Sequence, residues 1–158
     1  MDLLPFFQWC YDTPIGDAIR NSNWMFALIE ACHLIGLGLT GGAVLIVDLR
    51  LLGVGLRKQP VAQLSASAEP WLLGSVTLMF VSGIPLFLSE AIKCLYSFAF
   101  WVKMTSLLLV LLFTFTVRRR VTQADLTSGG PLPDRITALI SLGLWFGVAW
   151  GGRWIGYS

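Results

Sequence analysis

Long apolar runs, separated by short polar segments, divide the chain into four parts. A membrane-spanning helix needs about 20 mostly apolar residues. Four stretches meet this requirement: Trp24–Leu52, Trp71–Ile92, Phe98–Val117 and Ile136–Ile155. The first stretch is long enough to tilt in the bilayer or to project from it. The pattern therefore predicts an all-α integral membrane protein, in which residues 1–158 form a single four-helix bundle.

The polar segments between the spans predict the remaining elements. Residues 53–70 and 118–134 are expected to be loops, and the first is expected to include a helical extension into the second span. Before the first span, "LLPFFQW" and "TPIGDAIRNSNW" predict short interfacial helices. Thr13 followed by Pro14 suits a helix N-cap and first turn.

The composition agrees with a protein that has the lipid bilayer as its main partner. Hydrophobic residues make up 56% of the chain and charged residues 13%, against about 25% charged residues in soluble proteins. Mean hydropathy is +0.73. The net charge of +2, without a basic face carrying aromatic residues, gives no support to a nucleic-acid partner.

The basic residues predict an orientation in the membrane. Seven lie at or near the two long loops: Arg50, Arg57, Lys58, Arg118, Arg119, Arg120 and Arg135. Four lie at the other ends of the spans: Arg20, Lys93, Lys103 and Arg153. The positive-inside tendency places both long loops in the cytoplasm and both termini outside.

Ionisable residues within the spans are the main candidates for a functional site, because such residues are costly in lipid unless they pair or function. Glu30 and His33 lie on the first span, and Lys103 and Arg153 lie towards the same predicted side of the third and fourth spans. Glu90 ends the second span there. These positions predict an outer-half charge cluster of Glu30, Glu90, Lys103 and Arg153. It would either bind a ligand or hold the helices in register.

His33, the only histidine of the chain, has several possible roles. A histidine near the middle of a membrane is a suitable axial ligand for haem, or a proton relay. A haem here would need a methionine partner, an open sixth position or a second subunit, and Met79 is the span methionine nearest the midplane. The alternative is a histidine that only hydrogen-bonds a carbonyl or Glu30. Adjacent Cys32 diverges from His33 by 100° on a helix, which disfavours a copper site.

Helical faces add a packing prediction. Glu30, His33, Thr40 and Asp48 form one polar stripe, in which Asp48 is expected to meet a cation from a loop. Close helix packing is predicted at five glycines, within the bundle or against a second subunit: Gly38, Gly42, Gly143, Gly147 and Gly151.

The spacing of the cysteines and a search for common catalytic motifs indicate which reactions are disfavoured for this chain. Cys10, Cys32 and Cys94 form no CxxC pair, but Cys10 and Cys94 are predicted on one side of the membrane, where a disulfide between them is possible. The chain carries no HExxH, nucleophile elbow or Walker loop, so hydrolases and nucleotide enzymes are disfavoured.

Three stretches carry a resemblance to a known family: "HLIGLGLTGGAVLIVDLRLLG", "FAFWVKMTSLLLVLLF" and the final "GGRWIGYS". With them, the chain resembles a family of small bacterial four-helix membrane proteins without assigned function, which implies the bacterial inner membrane. More loosely, a first-helix histidine with a third-helix lysine is similar to haem-containing membrane protoporphyrinogen oxidases and copper-resistance D-type proteins. That resemblance implies His33 as an axial ligand of haem b and Lys103 as a cation for a propionate or a substrate carboxylate. The chain lacks a second histidine and the proline-terminated later helix of the oxidases.

The sequence therefore leaves three functions open and does not decide whether the protein is an enzyme. The first is a membrane haem-binding or redox protein built around His33, with Lys103 and Arg153 as anion-binding cations. The second is a non-catalytic subunit of a homo-oligomer, such as a channel, accessory or scaffold protein, packed through the glycine faces. The third, a proton-coupled transporter, would fit the polar stripe of the first span but would need a second subunit to build its inverted halves.

Overall fold

A computed structural model describes residues 3–54, 58–124 and 131–155. The structure is 90% helical, which confirms the predicted all-α class. The helices are α1 (Leu4–Tyr11), α2 (Pro14–Arg20), α3 (Met25–Leu52), α4 (Val61–Ser89), α5 (Ala91–Tyr96), α6 (Phe98–Phe113), α7 (Arg119–Ala124) and α8 (Pro131–Ile155). A π-helical turn, Thr114–Arg118, joins α6 to α7.

Four helical segments are long and apolar enough to cross a membrane, as expected of a multi-pass membrane protein. They are Met25–Leu52, Val61–Ser89, Phe98–Thr122 and Leu132–Ile155. We call the end of the bundle that carries α1, α2 and α5 the outer end, and the opposite end the inner end.

The two short helices predicted before the first span are confirmed as α1 and α2. The Thr13 hydroxyl accepts a hydrogen bond from the Gly16 amide at 3.3 Å, and Pro14 follows it as the first residue of α2. A Cβ atom at Gly16 would lie only 2.7 Å from the Leu88 carbonyl oxygen of α4. Glycine at this position therefore allows α2 to pack directly on the outer end of α4.

The second and third spans are longer than the apolar runs predict. Helix α4 begins at Val61 rather than at Trp71, because the polar segment before Trp71 continues the same helix. The third span runs through the π-helical turn into α7, so Arg118 and Arg119 belong to a helix rather than to a loop. Helix α8 begins at Pro131 rather than at Ile136. Arg57 and the middle of the predicted second loop lie outside the described residues.

The bundle is held together by contacts between pairs of neighbouring helices. Helix α3 packs along α4 and α8, α6 packs along α8, and α4 meets α7 at the inner end. The central apolar cluster consists of Ala43, Val44, Leu72, Val110, Trp145 and Val148. This arrangement brings His33 and Asp48 of α3 against two different neighbours.

Candidate functional site in the outer half

His33 is half-buried between α3 and α4, and its ring is held by a serine. The Nδ1 atom lies 3.0 Å from the Ser82 hydroxyl oxygen. The Ser82 hydroxyl donates to the Leu78 carbonyl oxygen at 2.7 Å, which uses its single proton. Ser82 can then only accept from His33, so we assign the proton of the neutral imidazole to Nδ1. The ring also forms a hydrogen bond with the Met79 backbone. In the assigned tautomer the Nε2 atom keeps its lone pair.

Ser82 belongs to a buried serine row on α4. Ser75, Ser82 and Ser89 lie seven residues apart and are all buried. The Thr40 hydroxyl of α3 donates to the Ser75 hydroxyl at 2.8 Å and lies 3.5 Å from the Met79 sulfur. Two helical turns separate successive serines, so this row faces α3 along much of its length. The seven-residue spacing is visible in the sequence, but only the structure shows that this row faces α3 and that Ser82 contacts His33.

Two glycines bring α3 and α4 close together around these groups. A Cβ at Gly83 would lie 3.1 Å from His33 Cε1, and a Cβ at Gly36 would lie 2.9 Å from Met79 Cγ. The His33 ring therefore packs directly on the α4 backbone. Met79 is buried in the same interface, on the side of α4 that carries Ser82.

Lys103, on α6, is half-buried and has neither a hydrogen bond nor an ion pair with any described residue. A Cβ placed at Gly151 would lie 3.0 Å from the Lys103 Cβ, and a Cβ placed at Gly152 would lie 3.8 Å from the Lys103 Nζ. The two glycines of α8 therefore leave the room in which the lysine stem runs. Its charge lies close enough to His33 to interact with it electrostatically.

The predicted charge cluster is not joined by ion pairs. No two of Glu30, Glu90, Lys103 and Arg153 come within 4.0 Å of one another through their charged atoms. Glu30 is exposed on the outward face of α3, Arg153 is exposed on α8, and Glu90 is half-buried at the end of α4. Glu30 lies one turn before His33, nearer the outer end of α3, and is exposed there, although Asp48 at the same helical angle is buried near the inner end.

The five glycines for which packing was predicted fall into two groups. A Cβ at Gly147 would lie 2.7 Å from the Ser106 hydroxyl oxygen, and one at Gly151 would lie 2.9 Å from the Ala99 carbonyl oxygen, so both contact α6. Gly38, Gly42 and Gly143 have no atom within 4 Å of such a Cβ. These three face outwards.

Asp48, at the inner end of the polar stripe, pairs with Arg118. The Arg118 Nε donates to Asp48 Oδ1 at 3.0 Å, and Nη2 donates to the Val44 carbonyl oxygen at 3.3 Å. Asp48 is fully buried, and Arg118 is 5% exposed. The expected cation is therefore the last residue of the π-helical turn rather than a loop residue.

Cys10 and Cys94 lie together in one buried apolar cluster at the outer end, and both are free thiols. Burial raises the pKa of the Cys10 thiol. Burial, with the nearby Glu90 charge, raises the pKa of Cys94 to about 11, against the smaller opposing effects of Lys103 and Lys93. Both thiols are therefore protonated and weakly nucleophilic at neutral pH.

Within the described residues, no three His, Cys, Asp or Glu side chains lie together as a metal-binding group. Among the groups described for the outer half, we therefore take the His33 imidazole and the Lys103 ammonium group as the candidate site.

Comparison with known proteins gives a family but no function. Residues 6–158 match the model of a family of unknown function, DUF6644. No curated protein and no solved structure matches the chain. Because the match covers nearly the whole sequence, the chain belongs to this family of unknown function.

Proposed function

We propose that this member of the DUF6644 family is an integral membrane haem-binding protein of redox type, in which His33 supplies an axial ligand and Lys103 binds a propionate. One observation carries the proposal: the Ser82 hydroxyl, which donates to Leu78, contacts His33 at Nδ1, and the tautomer assigned from this contact has its lone pair on Nε2. Haem b would supply one-electron transfer, and the protein would hold and orient it.

The contacts of His33 differ from those of a histidine that only fills a core. The ring is held by both the Ser82 hydroxyl and the Met79 backbone, and both of these contacts come from α4. Histidines that bind metals usually donate their other ring N–H to an acceptor that fixes the tautomer and the ring orientation. Ser82 supplies this acceptor, and the contact of the ring with Gly83 restricts its rotation.

Lys103 supports an anionic ligand near this histidine. An unpaired ammonium group within a membrane span is costly, and such groups usually mark a ligand or an ion pathway. Glu30, the acid predicted to compensate Lys103, faces out of the bundle instead. A carboxylate from a ligand would neutralise the Lys103 charge where the chain's own residues do not.

The residues present fit one axial position. Met79 lies in the α3–α4 interface beside Ser82, not across a gap from His33, so it is poorly placed as a second ligand. The sixth position would then be open or filled by a second copy of the chain.

An absorption spectrum of the purified protein tests this proposal. We expect a Soret band that is absent in His33→Ala, and a haem affinity roughly 10- to 100-fold lower in Ser82→Ala. Thr77→Ala, an exposed threonine on the same helix, is the matched control and should keep the wild-type affinity. A folded, colourless wild-type protein that takes up no added hemin contradicts the proposal.

A second candidate, an oligomeric membrane subunit, is favoured by the outward face of α3. That face carries exposed Glu30 together with exposed Gly38, Gly41 and Gly42. Charged side chains rarely face lipid, and small residues allow helices to approach closely. Light scattering of the detergent-solubilised protein should then show a homo-oligomer that Gly42→Leu dissociates. A wild-type monomer would contradict this candidate.

A further inference from the structure

We propose that the inner end of the bundle holds a phosphate-binding site in the pocket between α3, α4 and the π-helical turn. The pocket is separate from the His33 site and lies at the end to which the basic loops belong. Its polar lining residues are Ser65, Glu69, Thr114, Arg118, Arg119 and Thr122.

The size of the pocket limits the ligand to a small group. Its volume is about 100 Å³. One water molecule occupies about 30 Å³, and pockets for drug-sized ligands occupy about 300–1,000 Å³. The pocket therefore has room for one phosphate group but not for a nucleotide or a haem. Alanines on α3 and α4, including Ala43 and Ala66, form its small-residue walls.

Two buried groups that line the pocket have hydrogen-bonding capacity that the protein does not use. Thr114 is 6% exposed, and its hydroxyl has no hydrogen-bond partner among the described residues. Arg118 donates through Nε and Nη2 to Asp48 and Val44, which leaves Nη1 without a described partner. Unsatisfied buried polar groups are rare, because each costs free energy unless a ligand or water pairs with it.

The remaining groups favour an anion with several oxygens. Arg119 is paired with Glu69 only at 3.9 Å, and both side chains are substantially exposed, so a better acceptor can displace this weak contact. Ser65 donates to the Thr122 hydroxyl at 3.4 Å, and Thr122 donates to the Arg119 carbonyl oxygen at 3.1 Å. The donors left for an anion are therefore the Thr114 hydroxyl and the two arginines. Hydroxyl and guanidinium donors on several sides match a tetrahedral oxyanion, and arginine binds phosphate in a fork geometry.

The phosphate can come from a lipid headgroup or from inorganic phosphate, and the experiment separates the two. Native mass spectrometry of the purified protein measures retained phosphatidylglycerol, with phosphatidylcholine for comparison. A thermal-shift titration of the delipidated protein with sodium phosphate, against sodium chloride at matched ionic strength, measures the free ion. Thr114→Val keeps the shape of the side chain and removes its hydroxyl. Arg119→Gln removes the charge at the pocket, and Arg120→Gln is the control at an exposed neighbour that does not line it.

We expect the affinity for the probe that binds, phosphatidylglycerol or inorganic phosphate, to fall at least roughly tenfold in Arg119→Gln and several-fold in Thr114→Val. The affinity of Arg120→Gln should not change. Retained phosphatidylglycerol with no effect of phosphate identifies a lipid site, and a phosphate-specific shift identifies a site for the free ion. Either result, with that order of variants, supports the proposal. Equal binding by all variants, or binding of neither probe by the wild-type protein, overturns it. The haem spectrum is independent of both readouts, so failure here leaves the proposed function untouched.

Discussion

The inner and outer halves of the bundle treat their charged side chains in opposite ways. Near the inner end, Asp48 and Arg118 are both buried and are joined at 3.0 Å. In the outer half, Lys103 has no ion pair with any residue that the structure describes, and the hydrogen bonds of His33 are with neutral groups of α4. A buried ion pair explains itself as part of the fold, whereas an unpaired charge within a span usually marks a ligand or an ion pathway. The difference favours Lys103 and its surroundings as a ligand site, whereas the pairing of Asp48 with Arg118 stabilises the fold.

The largest expected effect comes from breaking the buried ion pair of Asp48 and Arg118. Arg118→Met should cost about 3–5 kcal/mol of unfolding free energy, because it leaves the Asp48 carboxylate buried without its cation. Equilibrium unfolding in detergent measures this loss. Arg119→Met is the matched control and should cost less than about 1 kcal/mol, since the Arg119 side chain is 56% exposed.

The double variant Asp48→Leu/Arg118→Met should recover much of the loss, because a buried ion pair replaced by apolar residues is often neutral. If Arg118→Met were no more destabilising than Arg119→Met, the inner pair would not be the structural element that the comparison requires.

At the outer end, alkaline pH should destabilise the fold through Cys94. Its pKa is about 11 in the folded protein and near 9 when unfolded. Between these values the unfolded chain loses the thiol proton and the folded chain keeps it, so stability falls as pH rises and levels off above 11. The fall attributable to this thiol is roughly 2 kcal/mol. Unfolding measured from pH 9 to 11 should show a smaller decrease in Cys94→Ala than in the wild type; identical decreases would assign the effect to other groups.

A smaller effect is expected where α8 approaches Lys103. Gly151→Ala should cost about 1–3 kcal/mol, because the new methyl group would meet backbone atoms of α6 and force the helices apart. Gly143→Ala meets no neighbouring atom and should leave thermal stability unchanged or slightly higher. Equal melting temperatures for the two variants would mean that the close approach of α6 and α8 is not tight in the folded protein.

The smallest change in unfolding free energy is expected when Lys103, which forms no ion pair with the described residues, is replaced. Lys103→Met should leave the unfolding free energy of the ligand-free protein unchanged or slightly raised, since it removes a buried ammonium group without breaking an ion pair. Chemical denaturation of the apoprotein, alongside Arg118→Met, measures the contrast between the two halves. A loss as large as that of Arg118→Met would show that Lys103 is paired in the fold, and the comparison between the halves would fail.

The apolar runs were sufficient to predict the four spans and the all-α class, because lipid allows few alternatives to a helix of this length. Thr13 and Pro14 were sufficient to place the start of α2. The lengths of the spans were harder to predict. The polar residues at the start of α4 carry no hydrophobic signal, although they continue the helix from Val61.

The candidate site was only partly predictable. His33 and Lys103 stood out by their chemistry, but their partners depend on which faces of the helices meet. Ser82 is assigned to His33 only once the buried serine row of α4 is known to face α3. Glu30 illustrates the opposite error: its position on α3 suggested a partner inside the bundle, but its side chain is exposed in the structure.

The π-helical turn has a consequence for how the third span tolerates changes in length. A π-turn holds one residue more than an α-turn, which rotates everything beyond it by about 100° relative to an unbroken α-helix. One continuous segment can thereby aim Lys103 at α8 in the outer half and Arg118 at α3 in the inner half. The extra residue sets the angular phase between the two ends. Deleting a single residue from Thr114–Arg118 would preserve the apolar length of the span while turning Arg118 away from Asp48, so the segment is sensitive to register rather than to hydrophobicity.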